Sequence, residues 1–240
     1  MAVSSNTLFH YTDKFETLCS IFENGFIPSY CMEAWVAIPM VSFCDTPLAQ
    51  ARYYIENYGN YAIGMTKDWG IRHGMNPVLY VEENSILNAH IRKAITAMVS
   101  LTAIEDKHDG IGIIREYFIE TIRYSKPYQG EMIRDGIKSK NYKFYDEREW
   151  RYIRDVTGSK DLGLSREEYK NFKSKNKKPH FPDDAIKMKS KDIKYIILND
   201  ESEIPKLFEF LNNTTHLGSP NDIKILFTKI ILRKNIIEDI

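Results

Sequence analysis

Near the start of this 240-residue chain, His10, Tyr11 and Thr12 stand together in "LFHYTDKFETLCSIFENGF", and far beyond them Glu147, Arg148, Glu149 and Arg151 crowd around Trp150 in "KFYDEREWRYIR". An imidazole and a hydroxyl can hydrogen-bond the hydroxyls of a ligand, and a carboxylate can stabilise positive charge developing on a sugar ring, as carboxylates do in glycosidases. Residues two apart on a strand share a face, so Glu147 and Glu149 would stand together with Arg148 and Arg151 as ion-pair partners. Trp150 and Tyr152 would then take the opposite, core-facing side. The chemistry requires that the two distant stretches meet.

The elements that must bring them together are read from hydrophobic periodicity. "TLFHY" reads as a short strand, and Leu18, Ile21 and Phe22 recur at helical spacing until Gly25, which can end a helix in a left-handed conformation. "IPMVSFC" is a buried strand. Pro47 can sit in the first turn of a helix through "LAQARYYIENY", stopped by Gly59. "NYAIGMT" and "PVLYVEE" are further strands. Residues 84–124 read as a helical insertion, split into two helices near "KHDGIG" by two closely spaced glycines. "YKFYDEREWRYIR" and "DIKYIILND" read as strands, "SEIPKLFEFLNN" as an amphipathic helix and "LFTKIILR" as a final strand. No strict strand–helix alternation and no glycine-rich phosphate loop are present, so the fold class is α+β, one domain over residues 1–240, a mixed sheet flanked by helices.

Composition narrows the function. Lys plus Arg number 33, matching Asp plus Glu at 33, and 43% of residues are hydrophobic. A neutral whole gives no field that favours nucleic acid or an anionic membrane, so such a partner must use a local patch. No apolar run is long enough to span a bilayer and no secretion signal opens the sequence, so the expected location is the cytoplasm. Cys19, Cys31 and Cys44 have neither CxxC spacing nor paired histidines nearby, which argues against a zinc site or a disulfide framework and reads them as buried thiols. Cys44 is placed to line a site.

The segment "FCDTPLAQARYY" from Phe43 places an aspartate two positions on and a tyrosine ten on. It resembles the second motif of the poly(ADP-ribose) polymerase branch of ADP-ribosyltransferases. "HYT" at 10–12 resembles the His-x-Thr of their first strand, and "DEREWRYI" their third. The resemblance implies NAD as substrate, with Glu149, His10 and Tyr53 as catalytic residues. The cofactor would be held by His10, Tyr11, Thr12, Gln50, Tyr53 and Tyr61: His10 on a ribose hydroxyl, the Tyr11 backbone on the nicotinamide amide, Thr12 on the ribose, Gln50 on the amide, Tyr53 stacked on nicotinamide and Tyr61 a second aromatic. Tyr11 and Gln50 depart from that family's usual small residue and serine. "HYTDKFETLCSIFENG" also resembles DarT, a DNA-modifying toxin. Together "FHYT", "GFIPSYC", "VSFCDTPL", "YGNYAIGMTKDWG", "NPVLYV" and "YDEREWRYI" resemble the AbiGi-type abortive phage-resistance proteins, which implies anti-phage defence within a toxin–antitoxin pair.

Between Lys170 and Lys194 the chain carries nine lysines against three aspartates. The segment reads as a solvated basic loop, with phosphate binding to nucleic acid as the sharper alternative. Two functions are therefore weighed. One is an ADP-ribosyltransferase or NAD glycohydrolase acting during infection. The other is a catalytically silent antitoxin that grips a cognate toxin or an operator.

Overall fold

Glycine, proline and capping residues divide the chain much as their chemistry requires. The computed structural model describes residues 5–33, 36–101, 109–134, 137–154, 163–175 and 181–239. Strand β1 (Thr7–Thr12) leads into helix α1 (Phe15–Asn24), which buries Leu18, Ile21 and Phe22 and stops at Gly25 with φ 79°. Strands β2 (Ser29–Met32) and β3 (Val36–Cys44) follow, then a 3-10 turn at Leu48–Gln50 and helix α2 (Ala51–Tyr58). Gly59 ends α2 at φ 129°, where an added Cβ would stand 2.3 Å from the Thr12 carbonyl oxygen. Strand β4 (Tyr61–Thr66) runs into α3 (Lys67–Arg72), capped by the Thr66 hydroxyl on the Trp69 amide.

Two short strands, β5 (Asn76–Pro77) and β6 (Leu79–Val81), precede helices α4 (Ile86–Leu101) and α5 (Asp109–Arg123). Strand β7 (Ser125–Pro127) then pairs in parallel with β6, so the two helices form the crossover that a parallel pair needs. Strands β8 (Gly130–Arg134) and β9 (Ile137–Tyr142) form a hairpin of their own. Next come β10 (Glu149–Ile153), β11 (Leu164–Ser165), α6 (Arg166–Lys175) and β12 (Ile193–Leu198). The chain closes with α7 (Glu203–Asn212), α8 (Pro220–Phe227), β13 (Ile230–Leu232) and α9 (Arg233–Asp239).

One mixed sheet runs β13-β12-β4-β1-β3-β10-β5, with β2 and β11 also paired to β3. Among the described residues, β12 and β13 are the only parallel neighbours in it; the other pairs are antiparallel. Helices cover both faces. On one face Leu18 and Phe22 of α1, Trp69 of α3, Leu207 and Leu211 of α7 and Leu226 of α8 pack on Leu8, Ile63, Met65 and Ile196. On the other, Ala51 and Ile55 of α2 and Ile236 of α9 pack on Phe9, Ala62 and Ile197. Alternate residues of β1 and β4 thus feed opposite cores. The expected α+β domain with a mixed sheet is what forms.

Three expected elements are revised. "YKFYDEREWRYIR" is not one strand: Phe144–Glu147 coil into a 3-10 turn and Arg148 takes φ 45°, so the strand starts at Glu149. The Tyr54 hydroxyl donates to the Asp146 carbonyl and the Arg148 amide to the Tyr145 carbonyl, which satisfies this turn's backbone outside any ladder. The final strand is only Ile230–Leu232, because Ser219, with its hydroxyl on the Asp222 amide and Pro220 at the first helical position, starts a helix that runs through Leu226 and Phe227. The basic loop expected over 170–194 begins inside α6, opened by a reciprocal pair between Ser165 and Glu168. Lys170, Lys173 and Lys175 are therefore helical, Lys191 lies in the 3-10 turn Ser190–Asp192 and Lys194 is in β12, whereas Lys177 and Lys178 lie outside the described residues.

Candidate functional site

Strands β1 and β3 are paired at Phe9↔Cys44, the one register pair between them among the described residues. Beyond it a side chain takes over from the ladder: His10 Nδ1 lies 2.9 Å from the Ser42 carbonyl oxygen. A carbonyl only accepts, so Nδ1 carries the proton of this bond. Burial lowers the pKa of His10 against the opposing pull of that bond, which keeps the ring neutral and leaves Nε2 as an acceptor. The ring is wedged against Phe26 and Phe43, at centroid distances of 5.2 and 5.5 Å.

Across β3 the same serine reaches the other stretch. Ser42 Oγ donates to Glu149 Oε1 at 2.7 Å. "HYT" and "DEREW" therefore meet through one residue, by its backbone on one side and its hydroxyl on the other. They approach from opposite faces of the sheet. Glu149 is opposite Cys44, which is opposite Phe9, so His10 points the other way, with Phe43 and its partner Trp150.

Glu149 is 3% exposed and both its oxygens are taken. Arg151 Nε and Lys126 Nζ each donate to it at 2.7 Å, and Arg151 Nη2 adds a longer bond at 3.2 Å. Lys126, on β7, also donates to Glu147 at 2.6 Å, and Arg151 to Glu33 at 2.6 Å. The result is a line of alternating charge, Glu147–Lys126–Glu149–Arg151–Glu33. Burial alone would raise the carboxyl of Glu149, but Lys126 and Arg151 overcome it and hold the group at about 2. Burial would lower Lys126 and Arg151, and their carboxylate partners instead push both above their usual values. The opposite face, with Trp150 and Tyr152, is only half-buried. The acid face, expected to be the wetter one, is the drier, because the segment carrying β7 covers it.

This line borders a cavity of about 780 Å³ that His10, Tyr11, Ser42, Cys44, Lys126 and Glu149 help to line. The volume is of the order that binds small molecules. His10, Tyr11 and Glu149 thus border the same cavity, although the His10 ring lies on the opposite face of the sheet from the Glu149 carboxylate, and Cys44 lines the cavity as well. Tyr53, Thr12, Gln50 and Tyr61 are not among the lining residues. Tyr53 is 44% exposed and stacks on Tyr142. Gln50 is exposed at the end of its turn, and Thr12 is buried opposite Tyr61. Tyr61 sends its hydroxyl to Glu203 at 2.5 Å, on the side of the core away from Glu149. The expected convergence of His10, Tyr53 and Glu149 therefore fails at Tyr53: α2 presents Tyr54 and Ile55 to the protein and turns Tyr53 outward.

Sequence reasoning named Arg151 as an ion-pair partner but missed Ser42, Lys126 and Glu33. Ser42 carried a weak signal, being two residues before Cys44 on the same strand face. Lys126 carried none, since only the β6–β7 crossover brings it to Glu149. Arg148, the other expected partner of the acids, leaves the strand with its positive φ, and its Nη1 has no hydrogen bond among the described residues. No group of His, Cys, Asp and Glu suited to a metal ion occurs among the described residues, nor does any helix long and apolar enough to cross a membrane.

Comparison with known proteins places residues 27–199 in the family described as "abortive phage resistance protein AbiGi, antitoxin". The abortive phage resistance protein AbiGi of Lactococcus lactis subsp. cremoris is 35% identical over 128 residues, covering 49% of this chain and 51% of the relative. The match thus spans about half the length of that curated relative. No solved structure matches.

Proposed function

The chain belongs to the AbiGi family of abortive phage resistance proteins, and from that premise we propose that it acts as the antitoxin of a defence pair, holding a partner toxin rather than turning over NAD. One observation carries the non-catalytic part of this reading: the Glu149 carboxylate is spent within the protein. A carboxylate that is to stabilise an oxocarbenium ion must offer uncompensated negative charge to it. Glu149 already faces two cations at 2.7 Å and a serine hydroxyl at the same distance. The outward turn of Tyr53 supports the same reading, since it leaves no stacking ring in the cavity at that position. The antitoxin role rests on the family's description.

A second reading, ADP-ribosyl transfer or hydrolysis of NAD, is supported by the shared cavity of His10, Tyr11 and Glu149. In it His10 binds a ribose hydroxyl, the Tyr11 backbone holds the nicotinamide amide and Glu149 orients the ribose. One experiment separates the two. The toxin of the same system is co-expressed with this chain, growth and co-elution are followed, and the purified chain is incubated with NAD. Restored growth, a stable complex and no nicotinamide release are expected. Nicotinamide release without any complex would overturn the antitoxin proposal in favour of the enzyme.

A further inference from the structure

The charge beside the cavity does not close. Glu147, Glu149 and Glu33 are three carboxylates, Lys126 and Arg151 two cations, and the line they form ends in a carboxylate on each side. The charged side chains at the cavity's rim are exposed and cancel: Glu83 and Glu131 against Arg92 and Arg166. The excess is therefore one negative charge in the interior. At one end both oxygens of Glu147 are occupied, one by Lys126 and one by the Tyr58 hydroxyl. At the other end Glu33 receives Arg151 on Oε1 alone, and its Oε2 has no hydrogen bond among the described residues. Glu33 lines the cavity with its side chain 15% exposed.

We propose that this cavity is a binding site for a small organic monocation, a protonated amine or a guanidinium, whose charge is taken by Glu33 and whose apolar part lies along Met32, Val36 and Ile38. An anion is disfavoured because Lys126 and Arg151 are already engaged and three carboxylates would face it. A neutral ligand would leave the buried charge as it stands. Cys31, beside Glu33 on the cavity wall, adds no charge of its own. Cys31 is exposed as a residue, against the expectation of a buried thiol, but desolvation at its sulfur, with help from the Glu33 and Glu149 carboxylates, pushes the thiol up to about 11. Burial also raises the pKa of Glu33, so a proton is the natural competitor when the cation is absent. The site is independent of the antitoxin reading, which needs no small ligand.

The test titrates pentylammonium and butylguanidinium into the full chain by calorimetry, against their neutral counterparts pentanol and butylurea. Both cations are expected to bind, each at least tenfold more tightly than its neutral counterpart. Glu33→Gln should weaken them by about ten- to a hundredfold, the range for losing a hydrogen bond to a charged group. Because that change could disturb Arg151, a second variant leaves the ion line untouched: Ile91→Trp, on α4 at the cavity wall, should fill the space and block both cations. Equal affinity for neutral and charged probes, undiminished binding by either variant, or no binding of the cations up to millimolar concentration would each overturn the proposal.

Discussion

At the scale of the residue, Glu149 shows how burial changes the meaning of a side chain. In the sequence it is an acid beside arginines, and replacement by glutamine looks nearly isosteric and harmless to the fold. In the structure its carboxylate is what keeps Lys126 and Arg151 apart and compensated at 13% and 0% side-chain exposure. Glu149→Gln should therefore destabilise the protein by about 3–5 kcal/mol, the usual range for breaking a buried ion pair by removing one partner. The sign of the pH dependence follows from the same contacts. The folded carboxyl sits at about 2 against an ordinary value of 4.5, so its contribution is complete above the unfolded value and is lost as pH falls through the folded one. Denaturant midpoints measured between those two pH values should fall steeply in the parent and more gently in the variant. A Glu149→Gln protein with the parent's midpoint and slope would show that the two cations do not depend on this carboxylate.

At the scale of the element, the parts of the fold that could be read from sequence are those governed by local chemistry. Gly25 and Gly59 stop their helices because each adopts a positive φ that other residues resist. The apolar face of α1 falls at Leu18, Ile21 and Phe22 as periodicity suggested, and two helices form over 86–123, but Gly110 and Gly112 of "KHDGIG" lie inside α5 rather than between the helices, so the glycines do not mark the break. What escaped was set by distant partners. The turn at Phe144–Glu147 depends on the Tyr54 hydroxyl, the outward turn of Tyr53 on how α2 seats against β1, and the place of Lys126 on pairing across forty-odd residues. The same reasoning gives a test at Gly59, where the terminus of α2 approaches β1. Gly59→Ala would need φ 129° and would press its methyl group onto the Thr12 carbonyl. Strain and overpacking together should cost on the order of 3 kcal/mol, read as a lower denaturation midpoint. A cost within the scatter of ordinary surface substitutions would mean that this junction relaxes freely.

At the scale of the whole molecule, equal numbers of acids and bases leave no long-range pull on nucleic acid, so any such affinity has to come from one surface. Helix α6 provides the candidate. Tyr169 and Phe172 turn inward onto Tyr30, while Lys170, Lys173 and Lys175 remain exposed. Its lysines have little structural work to do there, so changing all three to glutamine should leave stability within about 1 kcal/mol of the parent. Affinity for a generic DNA duplex is a separate matter. Each lysine on a phosphate releases counterions, and three such contacts should contribute about 2.7 to the slope of log affinity against log salt. The triple variant is expected to lose that share of the slope. A salt slope identical in parent and variant would return α6 to the role of a solvated face.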